Sequence, residues 1–255
     1  MKRRAPIACP IACSVLLFTL VFCSLASAQS NDALPDTFDV ELLVEGNVSG
    51  SKTYKYKIGS DEFVLTVHHV YLVLGNASLL AKGEPPPGYK AASGTLDPLQ
   101  LGTHSLDGYV VADLVAPTSL GVIQAPAGVV GPLYLAATNA DASTAPLIPA
   151  PAEVEDAMLV LTGRLVVGEL LDKELVFTLT GERLFVLAAP AFELSQNHSL
   201  RISIDIEGWF DDVDFSKLTH STNVIRLSET ANVTAFAAVS AKAEEALDGL
   251  SWSID

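Results

Sequence analysis

The chain has 255 residues, and its acidic residues outnumber the basic ones thirty to fifteen, for a formal net charge of −15. Such a surface repels phosphate backbones and anionic lipid heads, which argues against nucleic-acid binding. All three cysteines (Cys9, Cys13 and Cys23) fall at the start of the chain, so the remainder offers no disulfide, thiolate metal ligand or cysteine nucleophile.

The N-terminus reads as an export signal. Met1-Lys2-Arg3-Arg4 is basic, residues 11–23 are apolar, and Ala26-Ser27-Ala28 has the small-x-small form that a signal peptidase requires. The expectation is a secretory signal peptide over 1–28 and a single β-sandwich domain over 29–255, secreted or periplasmic. The apolar run is shorter than the ~20 residues that span a bilayer, which weighs against a retained anchor. Phe22, directly before Cys23, is too bulky for a lipidation site. Removal of Lys2, Arg3 and Arg4 with the signal would make the chain three units more negative. The most apolar later stretch, 120–138, is broken by Gly121, Pro126, Gly128, Gly131 and Pro132, so no transmembrane segment is expected after cleavage.

Beyond the signal, period-two alternation dominates, the mark of half-buried strands. It predicts strands over 37–45 and 52–58, a turn at Gly59-Ser60-Asp61, and a long run over 62–74 with Phe63, Leu65, Val67 and Tyr71 on alternate positions. Gly83-Glu84-Pro85-Pro86-Pro87-Gly88 cannot continue a ladder, because three successive prolines donate no backbone hydrogen bond. A long loop is therefore expected near 83–102, and a second near 138–152, rich in Ala, Pro, Asp and Thr. Strands are predicted over 108–115, 131–137, 157–167, 173–180 and 183–187. Residues 199–207 give the sharpest alternation, with Leu200, Ile202, Ile204 and Ile206 against Arg201, Ser203, Asp205 and Glu207.

The period then changes. Val233, Phe236, Val239, Ala243 and Leu247 recur every three or four residues, as one face of a helix requires. Ser228-Glu229-Thr230 offers an N-cap and Gly249 a stop, which predicts an amphipathic helix over 229–248. Residues 250–254 alternate again and suit a short edge strand. Many strands without helices between them predict an all-β fold, an antiparallel β-sandwich with one C-terminal amphipathic helix packed on it.

Two groups of residues suggest chemistry. His68, His69 and His104 are imidazole donors suited to zinc or copper(II). Adjacent residues of a regular strand face opposite ways, so His68 and His69 should not share an ion unless the strand is irregular. Asp211, Asp212 and Asp214 form an acidic cluster, within which Asp212 and Asp214, with Ser216, are spaced like the opening of a calcium loop. Lys217 stands where that loop needs glycine and Asn223 where it needs a bidentate glutamate. The competing reading is a short helix with acids in its first turn and Trp209, Phe210 and Phe215 packed inward. No nucleophile motif appears: Gly46-Asn47-Val48-Ser49-Gly50 lacks the spacing of a nucleophile elbow. Four N-x-S/T sequons, at Asn47, Asn76, Asn197 and Asn232, would matter in a glycosylating host.

The expectation is an exported, non-enzymatic protein that binds a protein or carbohydrate partner in the cell envelope or outside the cell. The alternatives are a metal-binding envelope protein (calcium, zinc or copper(II)) and a carbohydrate-active hydrolase whose carboxylate pair does not show in sequence.

Overall fold

The computed structural model describes residues 37–47, 50–81, 89–90, 95–96, 105–140, 154, 156–168, 171–187, 192–220 and 223–255. The expected signal peptide, His104 and most of the two expected loops lie outside them. The strands are β1 (Thr37–Gly46), β2 (Lys52–Ile58), β3 (Asp61–Ala81), β4 (Tyr89–Lys90), β5 (Thr95–Leu96), β6 (Ser105–Asp113), β7 (Thr118–Pro126) and β8 (Gly128–Ala137). They continue with β9 (Leu159–Val167), β10 (Leu171–Leu179), β11 (Arg183–Leu187), β12 (Phe192–Leu194), β13 (His198–Ile204), β14 (Val224–Leu227) and β15 (Ser251–Ile254). One helix, α1 (Val233–Asp248), precedes β15.

The fold is the expected all-β sandwich. One sheet runs β15-β13-β1-β7, and the other runs β11-β8-β3-β9-β10-β14 with β12, β2 and β6 attached at its flanks. Alternation places Val40, Leu42 and Val44 of β1 and Leu200, Ile202 and Ile204 of β13 inward, where they share one apolar core with Phe63, Leu65, Leu161 and Phe177 of the larger sheet. Pairing is antiparallel except for β1 with β13 and β10 with β14. Each of these parallel pairs joins strands far apart in sequence, so no local turn signal announces them.

The long strand β3 holds the larger sheet together. Its first half pairs with β2 and β9, and its second half with β6 and β8. It is not regular. Val67 lies opposite Gly163 and His69 opposite Thr162, leaving His68 as an extra residue, which is a β-bulge. The bulge changes which side chains face inward. Phe63, Leu65 and Val67 enter the inter-sheet core before it, and Val70, Leu72 and Leu74 after it. Tyr71, expected on the face of Phe63, instead joins Val73, Val111, Val160 and Val176 in a second core on the outer face, with Ala140, Val154 and Ala157.

Two other departures have local causes. Strand β7 was not expected, because Gly121 and Pro126 interrupt its pattern; Gly121 takes φ +133 beside a bulge in the β1–β7 pairing. Helix α1 starts four residues later than expected. Ser228 does not cap it: its hydroxyl accepts from the Ala231 amide (3.2 Å) and closes a turn. Asn232, at φ +53, precedes the helix and clamps the chain instead. Its Nδ2 donates to the Thr219 and Arg226 carbonyls, and its Oδ1 accepts from the Thr219 amide. Inside the expected loop near 83–102, β4 and β5 pair as a small hairpin.

Gly163 makes the bulge sterically feasible. A Cβ there would lie 2.6 Å from the Thr66 carbonyl oxygen, a backbone atom that cannot swing aside. Gly163→Ala should therefore destabilise the fold by about 1–3 kcal/mol, the usual cost of overpacking. Urea denaturation checks this, and an unchanged midpoint would contradict the packing described at this position.

Candidate functional site

Strand β13 ends at Ile204, and the chain then turns sharply through residues 205–212. Ile206, Trp209, Phe210, Val213 and Phe215 are all buried and anchor the turn in the inter-sheet core. Gly208, at φ +74, lets the backbone reverse. The Trp209 indole donates to the Asp205 carbonyl at 2.8 Å. Asn47 ties this turn to the end of β1: its Nδ2 donates to Asp205 Oδ1 at 2.6 Å, and its Oδ1 accepts from the Ile206 amide at 3.0 Å.

With the aromatic residues drawn inward, the acidic ones are left at the surface. Asp205, Glu207, Asp211 and Asp212 line a cleft of about 570 Å³ whose other wall is Lys242, Glu245, Ala246 and Gly249 at the end of α1. Lys52 pairs with Glu207 and lies over the Tyr54 ring, 5.4 Å from its centroid. The Tyr54 hydroxyl is buried and has no hydrogen-bond partner among the described residues. Burial first, then the Asp205 and Asp211 carboxylates, hold Tyr54 above the ordinary tyrosine pKa. Burial, Asp211 and Tyr54 do the same to Tyr56.

The three aspartates considered as calcium ligands are not brought to one point. Asp211 lines the acidic cleft, and Asp214 lines a separate cavity of about 290 Å³ with Lys217, Thr219 and Asn232; Asp212 borders both. Asp214 accepts from the Ser216 amide (3.2 Å) and hydroxyl (2.5 Å) and pairs with Lys217 at 2.7 Å. Lys217 and then Ser216 hold its carboxyl below the usual range. Phe215–Lys217 form one turn of 3₁₀ helix capped by Asp214, with no acid in its first turn; Trp209, Phe210 and Phe215 are packed inward, as the competing reading of this segment expects. No group of three or more His, Cys, Asp or Glu side chains among the described residues is arranged to hold a metal ion.

The histidines behave differently. Because of the bulge, His68 and His69 are both exposed, between the buried Val67 and Val70. His69 Nδ1 lies 2.7 Å from Asp113 Oδ2, and its ring stacks on Tyr71 at 5.2 Å. Asp113 is buried, and its Oδ1 also accepts from the Val70 amide (3.2 Å) and the Val115 amide (3.3 Å). Sequence reasoning missed Asp113, which lies 44 residues from its histidine; no motif links the two. Burial and then Asp113 raise the Tyr71 pKa. His104 lies outside the described residues. Among the sequons, the Nδ2 atoms of Asn47 and Asn232 are already hydrogen-bonded within the fold.

No helix among the described residues is long and apolar enough to cross a membrane. Comparison with family models, curated proteins and solved structures gives no match to this chain.

Tyr54, Tyr56 and Tyr71 should ionise later than ordinary tyrosines. Their folded pKa values lie above that of the unfolded chain, so the stability they contribute is present below about pH 10 and is lost as the pH rises through the folded values. Near-ultraviolet absorbance during an alkaline titration checks this. Late ionisation of part of the tyrosine signal, coinciding with unfolding, is expected; ionisation of all six tyrosines near pH 10 with the fold intact would contradict it.

Proposed function

We propose that this is an exported, non-enzymatic β-sandwich protein that binds a cationic partner or ligand in the cell envelope or outside the cell. One observation carries the reading: a cleft of about 570 Å³ lined by Asp205, Glu207, Asp211, Asp212 and Glu245 against Lys242, where Lys52 pairs with Glu207 and Lys242 with Glu245, leaving the carboxylates in excess. Walls of one sign focus the field and attract opposite charge. The chain's net charge of −15 extends that attraction beyond the cleft. The buried Trp209 and the Asn47 clamp fix the carboxylate-bearing turn, so a ligand would meet a preformed surface. The chemistry that suits it is a lysine- or arginine-rich protein segment or a polyamine. A neutral sugar would gain little from this charge.

The reading includes removal of residues 1–28 on export. Intact-mass analysis of the exported protein should give a chain beginning at Gln29, and a chain that keeps Lys2–Arg4 would contradict export through this signal.

Binding is tested by titrating the protein with spermine and with a lysine-rich peptide, following tryptophan fluorescence and heat. Saturable binding that weakens with added salt is expected. Asp211→Asn with Asp212→Asn removes two exposed charges worth roughly 0.2–1 kcal/mol each, so affinity should fall by up to about thirtyfold. Failure of both polycations to bind at low salt would overturn the reading.

A further inference from the structure

We infer that His68 and His69 form a two-imidazole site for a divalent transition-metal ion on the outer face of the larger sheet, with Asp113 as its positioning residue. The site is independent of the acidic cleft.

The argument begins with the bulge. In a regular strand two adjacent histidines face opposite ways and cannot chelate one ion. The extra residue at His68 removes that obstacle. Val67 and Val70 both enter the inter-sheet core, and the two residues between them are exposed. Bulges re-aim side chains in this way and are over-represented beside functional sites.

The second observation is the state of the two rings. His68 makes no hydrogen bond, ion pair or ring contact with a described residue. His69 is held on two sides, by Asp113 at Nδ1 and by Tyr71 against its ring face. A carboxylate that already accepts two backbone N–H groups requires Nδ1 to be the donor. Neutral His69 therefore carries its lone pair on Nε2, and the side chain is 48% exposed. A buried carboxylate fixing the tautomer of an exposed imidazole is the arrangement that supports metal-ligating histidines, where it orients the ring and raises its basicity. Water would complete the coordination. Imidazole donors without a thiolate favour copper(II), then zinc.

The test uses untagged protein and isothermal titration with copper(II) and zinc(II) chlorides. One ion per chain is expected, copper(II) binding more tightly than zinc. His68→Gln should abolish chelation while leaving the thermal midpoint unchanged, since His68 has no partner among the described residues to lose. Asp113→Asn should weaken binding about 10–100-fold, the usual cost of losing such a support. If Asp113→Asn unfolds the chain, paramagnetic broadening by copper(II) replaces it: NMR signals of residues 66–71 should be lost first. Absence of binding by both ions would overturn the site. So would binding that His68→Gln and His69→Gln leave intact, or binding removed only by Asp211→Asn with Asp212→Asn, which would place the ion in the acidic cleft.

Discussion

The buried carboxylate of Asp113 answers a constraint that the rest of the larger sheet depends on. Strand β3 must line the inter-sheet core along its length and also supply Tyr71 and Val73 to a second core on its outer face. A regular alternation does not keep Phe63, Leu65 and Val67 inward and then bring Val70, Leu72 and Leu74 inward as well. One inserted residue does, at the cost of a local break in the ladder. The amides of Val70 and Val115 both donate to Asp113, so polar groups exposed by the break and the adjacent turn are satisfied inside the protein. Gly163 gives the room, because its missing Cβ leaves the Thr66 carbonyl unobstructed.

Much of the fold is legible in the sequence wherever one face of a strand is buried and the other is wet. The alternations of β1 and β13 map directly onto inward Val40, Leu42, Leu200 and Ile202 and outward Glu41, Arg201 and Ser203. The helix is legible through Val239, Ala243 and Leu247, although its start is not, because Ser228 closes a turn and Asn232 takes the clamping role. Strand β7 is obscured by glycine and proline, and β14 is only four residues long. The parallel pairings are set by tertiary packing and leave no local trace.

The bulge marks the limit of pattern reading. Counting Phe63, Leu65, Val67 and Tyr71 as one face is correct up to Val67 and fails after it, since a single inserted residue moves every later side chain across the sheet. The same slip hides the relation between the two histidines. The acidic turn is legible in composition but not in geometry. Asp211, Asp212 and Asp214 are neighbours in sequence, yet the anchoring of Trp209, Phe210 and Phe215 spreads their carboxylates over two cavities. Both candidate surfaces thus arise from local irregularities that put polar groups outward where apolar neighbours are fixed inward.

The most direct measurement is the pairing of β3 with β9, read from cross-strand proton contacts by NMR. The bulged strand places Val67 opposite Gly163 and Val70 opposite Leu161, with His69 opposite Thr162. Contacts for these pairs, with the Val70 amide protected from exchange, are the predicted result. Contacts placing His68 opposite Thr162 and His69 opposite Leu161 would show a regular strand, and would contradict the second core, the role of Asp113 and the shared exposure of the two histidines.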